Sequence, residues 1–250
     1  MKYAIWIVFL SLCCAPAPWS YAQQPALEDV LKRVGETYQK LQTYQFFAQK
    51  TTELAAVGTA ESPTGGRAWS NFHKSETSEI GLAATSPGKF RLDVTDEKGG
   101  LVLVSDGQTR WTYVPKRKQY TEEPGTTTEP DVLRSYRVLL VDRFRGISQY
   151  ASNAVLEKDS QLKIGGDKVA CYVLRIPTQH GSYELWVDKD RYIVLRSKHV
   201  GPAASEGISL QETTTINLSQ ANINNDLQAN VFQFTPPDKA EKVASLESKK

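Results

Sequence analysis

Cysteine is scarce in this sequence. Of 250 residues three are cysteine, at positions 13, 14 and 171. The first two fall in a segment that reads as removed on export, which leaves Cys171 alone. One thiol closes no internal disulfide, so packing has to hold the core. Cys171 alternates with Val169 and Val173, the pattern of a small buried hydrophobe on a strand. Histidine is as rare: His73, His180 and His199 stand apart, with no second ligand at metal spacing, so no metal site is expected. A glycine-rich phosphate loop and a nucleophile elbow are both missing. Glu184 and Asp188 share one strand face that reads as the solvent side, which argues against paired acid–base work. No catalytic residue and no cofactor is expected, and the chain reads as a non-enzyme. Charge of one sign is missing too. The formal net charge is +2 and the charges are interspersed, so nucleic acid is not an expected partner. No apolar run approaches the roughly 20 residues that a membrane-spanning helix needs.

What the sequence does contain begins with an export signal. Lys2 supplies a positive start, residues 5–12 a short apolar stretch, and Ser20-Tyr21-Ala22 small residues at the positions a signal peptidase reads. Residues 1–22 are read as the signal peptide and residues 23–238 as one domain. Residues 239–250 form a charged, frayed tail. The expected location is the periplasm, with the protein soluble and monomeric. A lipid-anchored alternative rests on Cys13 or Cys14, but Leu12 is bulky where a lipobox wants a small residue.

Residues 86–120 organise the rest. Phe90, Leu92 and Val94 alternate with Arg91, Asp93 and Thr95, the period of a half-buried strand. Residues 101–104 are apolar on both faces. Asp106-Gly107 is a hairpin signal. Trp111 and Tyr113 alternate with polar neighbours until Pro115 stops the strand. Upstream, Leu27, Val30, Leu31, Val34, Tyr38 and Leu41 recur at helical spacing, with Glu28 and Asp29 in the first turn. A first strand follows over residues 44–54, then a small, polar loop over 55–66. The next strand or two covers 67–80, with Trp69 and Phe72 as anchors. Glu129-Pro130-Asp131 opens a second helix whose stripe is Val132, Leu133, Tyr136, Leu139, Leu140, Phe144 and Ile147. Arg134, Arg137, Asp142 and Arg145 are placed on its outer side. Further strands cover residues 162–164, 169–176, 182–188, 192–198, 209–218 and 231–234, with a hairpin turn at Gly165-Gly166. About ten strand segments and two helices, not alternating, predict an antiparallel α+β domain.

Several of these residues carry a family resemblance. Pro87-Gly88 leads into Phe90-Arg91 and Asp93. Leu103-Val104-Ser105-Asp106-Gly107, the Trp111/Tyr113 pair, Pro115 and Gln119-Tyr120 follow. With residues 44–49 as first strand and 230–237 as last strand, the set resembles the periplasmic outer-membrane lipoprotein carrier family (LolA-like). The resemblance implies a strongly curved antiparallel sheet, a half-barrel, with helices covering the concave face. It implies an apolar cavity for the acyl chains of a lipoprotein or lipid, with membrane-associated donor and acceptor proteins as partners. Periodicity nominates Phe90, Leu92, Val94, Trp111 and Tyr113 for the cavity lining. It nominates Val34, Leu41, Leu140 and Phe144 for the lid. Periodicity does not distinguish a cavity wall from a filled core. The alternative on the same fold is an envelope-stress regulator or protein-binding module, and a hydrolase ranks last.

Overall fold

The computed structural model describes residues 25–57, 72–85, 88–125, 128–203 and 209–246. The expected export signal, Cys13, Cys14, Trp69, and most of the loops expected over 55–66 and 201–207 lie outside them.

Helix α1 (Leu27–Gln39) forms where the 3.6-residue stripe stands, and it buries Val30, Leu31, Val34 and Tyr38. Strands β1 (Thr43–Ala56), β2 (His73–Thr85), β3 (Lys89–Asp96), β4 (Leu101–Asp106), β5 (Thr109–Val114) and β6 (Gln119–Pro124) then run as an antiparallel meander. Helix α2 (Asp131–Arg137) continues through a π-helical turn (Val138–Asp142) into a single turn, Arg143–Arg145. Then come β7 (Val155–Leu156), β8 (Ser160–Ile164), β9 (Asp167–Thr178), β10 (Gly181–Asp188), β11 (Val194–Ala203), β12 (Leu210–Ile223) and β13 (Glu241–Lys242).

Among the described residues all thirteen strands join one sheet, in the order β13-β6-β5-β4-β3-β2-β1-β12-β11-β10-β9-β7, with β8 also on β9. The two end strands do not meet, so the curved sheet stays unclosed. Every pairing is antiparallel except β13 on β6. The long central pair β1–β12 joins the two halves of the chain.

The turns follow their residues. Asp106 Oδ1 accepts the N–H groups of Gln108 at 2.8 Å and Thr109 at 2.7 Å, and Gly107 takes φ +96°. The Thr109 bond holds the Asp106 carboxyl below the ordinary carboxylate range. Gly165 and Gly166 both take positive φ, as a two-residue hairpin needs.

Four expectations change. Residues 231–234 do not make a strand: Ala229–Phe232 is a 3-10 turn followed by extended chain. Pro236 and Pro237 lie just beyond and can donate nothing to a ladder. The start of the expected tail is paired, since Glu241 N donates to Lys118 O at 2.8 Å and Val243 N to Tyr120 O at 2.9 Å. In the second helix Val132 is 37% exposed, while Val141 is fully buried. The π-helical turn at Val138–Asp142 rotates the stripe, which a constant 100° step misses. Asp188 is buried, not on the solvent side. Its Oδ1 accepts the N–H groups of Asp190 and Arg191, and its Oδ2 the Arg191 Nε at 2.7 Å. It ties the β10–β11 turn.

Candidate functional site

Cross-strand partners point to the same face of a sheet, so the register sorts the nominated residues. One row across β1–β4 is Phe46, Leu82, Leu92 and Leu103. All four are at most 2% exposed and fill the core. The next row toward the strand ends is Tyr44, Ala84, Phe90 and Ser105. Two of these four are small. A row that alternates aromatic rings with Ala and Ser leaves volume unfilled, and a groove of about 590 Å3 opens there. Leu41, just after α1, and Leu133 of α2 are its apolar walls. Lys89, Glu129, Arg137 and Arg145 stand at its rim.

The rim is electrostatically crowded. Glu129 lies 3.0 Å from Arg137 and 3.9 Å from Arg134. Asp142 lies 2.8 Å from Arg137 and 3.3 Å from Arg145. Arg134 also has Asp131 at 3.0 Å, so three arginines meet three carboxylates, two of them shared. Among the described residues, Arg137 Nε, Arg145 Nε and Asp142 Oδ1 are buried atoms that make no hydrogen bond. The pairs are close but misaligned. Burial pushes the Tyr44 phenol up to about 12, with Arg137 pulling it down and Asp142 pushing it up. The Tyr44 hydroxyl therefore stays a neutral group at the edge of a charged cluster.

The nominated residues are divided by the structure. Leu41 and Phe90 line the groove. Val34, Leu92 and Leu140 sit in the buried cluster, at 0%, 0% and 5% exposure. Val94 touches a hollow of about 210 Å3 beside Val132 and Tyr136, and Phe144 one of about 200 Å3 beside Ile147 and Leu185. Trp111 and Tyr113 are on the other face of the sheet. Trp111 pairs with Val104 and Tyr113 with Val102, whereas the Leu92 row runs through Leu103 to Thr112. There the two rings and Tyr120 surround Phe234, with centroid separations of 6.2, 6.1 and 5.5 Å. The closing segment packs over this face, and Arg91 Nη1 donates to Gln233 O at 3.3 Å. Arg91 is itself held by Asp93 at 2.6 Å. Replacing Arg91 with Ala is expected to speed amide exchange over residues 229–234 and to cost about 1 kcal/mol. Unchanged exchange rates would show that Phe232 and Phe234 alone hold the segment.

Sequence reasoning missed Tyr44, Ala84, Ser105, Leu133, Arg137 and Arg145 as groove residues. Ala84 and Ser105 carry no signal of their own; only the register sets them on either side of Phe90. Arg137 and Arg145 were placed on the outer side, but both line the groove. Among the described residues no cluster of three metal-ligating side chains occurs. No helix there is long and apolar enough to cross a membrane.

Residues 149–246 match the model of a family described as a predicted periplasmic protein, DUF2092. The match takes in β7 to β13 and the closing segment, and leaves out the groove floor. A comparison with curated proteins finds no match. Solved structures similar in fold include Pseudomonas aeruginosa MucB in its complex with MucA, at 19% identity and TM-score 0.39 over 84% of this chain and 62% of that one. They also include a putative outer-membrane lipoprotein-sorting protein domain from Vibrio parahaemolyticus (13%, 0.30, 82% and 97%). A LolA superfamily protein from Nitrosomonas europaea is a third (11%, 0.28, 84% and 99%). The LolA-like family that the sequence resembles is thus represented among them. The chain spans only about three fifths of the MucB chain's length.

Proposed function

We propose that this protein is an exported, periplasmic binding protein that carries the acyl chain of a lipid or lipoprotein toward the outer membrane. The observation that carries the reading is the Tyr44–Ala84–Phe90–Ser105 row, where two small side chains leave an apolar groove between sheet and helices. In this reading the sheet is a half-barrel and the helices are a cover over its concave face. The groove's volume lies within the roughly 300–1,000 Å3 usual for small-molecule sites. Each methylene buried contributes about 0.8 kcal/mol, so roughly ten methylenes supply about 8 kcal/mol before ordering costs. That term is enough for a carrier, which needs no catalytic group and no cofactor and can work as a monomer. The interior beyond the groove is packed with Phe46, Leu82 and Leu92. A longer chain therefore enters only when α1 or the second helix shifts. Donor and acceptor proteins in the membrane are the partners this cycle requires.

A second reading, a protein-binding module in envelope signalling, draws on a different place. The opposite face has a groove of about 580 Å3 beside Phe47, Arg91 and Asp93, and Phe47 is 40% exposed. Two measurements separate the readings: mass spectrometry of lipid extracted from the gently purified protein, and titration with a fluorescent fatty acid. Replacing Phe90 with Glu, at the half-buried groove wall, is expected to weaken binding at least tenfold, about 1.4 kcal/mol, with an unchanged circular-dichroism spectrum. Full affinity in the folded Phe90→Glu protein removes the groove from the binding site.

A further inference from the structure

The groove has a chemically distinct mouth, whose role rests on the acyl-binding reading of its apolar part. We propose that the mouth selects an anionic headgroup, a carboxylate or a phosphate, at the end of a single acyl chain.

Three features of the rim point the same way. Lys89, Arg137 and Arg145 all line the groove, against Glu129 as its one lining carboxylate. Arg145 has only Asp142, at 3.3 Å and shared with Arg137, while Arg137 also meets Glu129 and Arg134 also meets Asp131. The Nε atoms of both arginines are buried without a hydrogen bond. A buried donor without an acceptor is costly, at about 1–3 kcal/mol each. An incoming oxyanion gives the guanidinium groups aligned acceptors, which Asp142, close to both arginines but misaligned and with its own Oδ1 unbonded, does not. Arginine suits this role, since its planar fork matches carboxylate and phosphate oxygens. The Tyr44 hydroxyl adds a neutral donor on the groove floor. The apolar walls, Leu41, Phe90 and Leu133, begin directly beside the charged rim, which is the layout an amphiphile needs.

The test compares three probes of one chain length by isothermal titration: hexadecanoate, hexadecyl phosphate and hexadecanol. The two anions are expected to bind at least tenfold tighter than the alcohol at low salt, and to lose that advantage as salt rises. The order of the two anions distinguishes a carboxylate from a phosphate source, and either order supports the proposal. Lys89→Gln and Arg145→Gln together are expected to bring all three probes to the alcohol's affinity. Arg137 is kept so that Asp142 retains a partner. Lys89→Gln alone changes an exposed side chain and is expected to reduce the anion advantage about threefold in a protein that folds normally. An alcohol that binds as tightly as the anions overturns the headgroup proposal and leaves the carrier reading standing. So does an anion advantage that survives in both variants. If none of the three binds, the carrier reading falls as well.

Discussion

Replacing Asp188 with Ala is expected to destabilise the protein by about 2–4 kcal/mol, seen as a drop of roughly 1–2 M in the urea midpoint. The carboxylate is 2% exposed and accepts three hydrogen bonds, from Asp190 N at 2.9 Å, Arg191 N at 3.1 Å and Arg191 Nε at 2.7 Å. The turn it holds is demanding. Tyr192 takes φ +55°, a conformation unfavourable for a residue with a bulky side chain. Tyr192 N donates to Asp188 O, and Asp188 N to Ile193 O, so the turn closes around this one residue. Alanine removes all three side-chain acceptor bonds and leaves the turn to backbone bonds alone. Asn is expected to cost about half as much, because it keeps one oxygen for the two backbone N–H groups. The result bears on function as well. If Asp188→Ala abolishes a turnover while the urea midpoint stays put, the hydrolase reading returns and the turn-holding role is wrong.

Tyr38 carries the second large effect. Its ring is fully buried and lies 5.0 Å from the Phe144 ring, between α1 and the second helical stretch. Its hydroxyl accepts the Val194 N–H at 3.1 Å, at the start of β11. One side chain thus links helix to helix and helix to sheet. Burial pushes its phenol well above the ordinary range, so the hydroxyl stays protonated. Tyr38→Ala is expected to cost about 3–5 kcal/mol from the lost ring and the void it leaves. Tyr38→Phe keeps the ring and orphans the buried Val194 N–H, for about 1–3 kcal/mol. Urea titration of both variants measures the difference. A Tyr38→Phe protein as stable as the parent shows that Val194 N–H finds another acceptor. Amide exchange over α1 gives a second readout: it is expected to rise in both variants, since Arg33 on Tyr192 and Gln39 on Arg145 O are surface bonds of lesser weight.

The meander over residues 86–120 was legible because each strand carries its own period and each turn its own residue. Phe90, Leu92 and Val94 alternate, and Gly107 supplies the positive φ. Helix α1 was legible for the same reason, its stripe and its burial agreeing from Leu27 to Leu41. The closing segment was not, because residues 231–234 have a strand's alternation without a strand's pairing. Phe232 is buried and Phe234 stacks on Trp111 from a 3-10 turn and extended chain instead. The second helix failed at its middle, where the π-helical turn departs from the regular step.

Local pattern, then, was enough for the elements, their alternation and the α+β class, since burial on one face writes itself into neighbouring residues. The groove could not be read that way. Tyr44, Ala84, Phe90 and Ser105 come from four different strands, and of the four only Phe90 was nominated from the sequence. Pairing of four strands in one register sets a small side chain on each side of Phe90, and the second helical stretch sets two arginines at their edge. Volume and charge of that kind belong to the register, which only the assembled sheet decides.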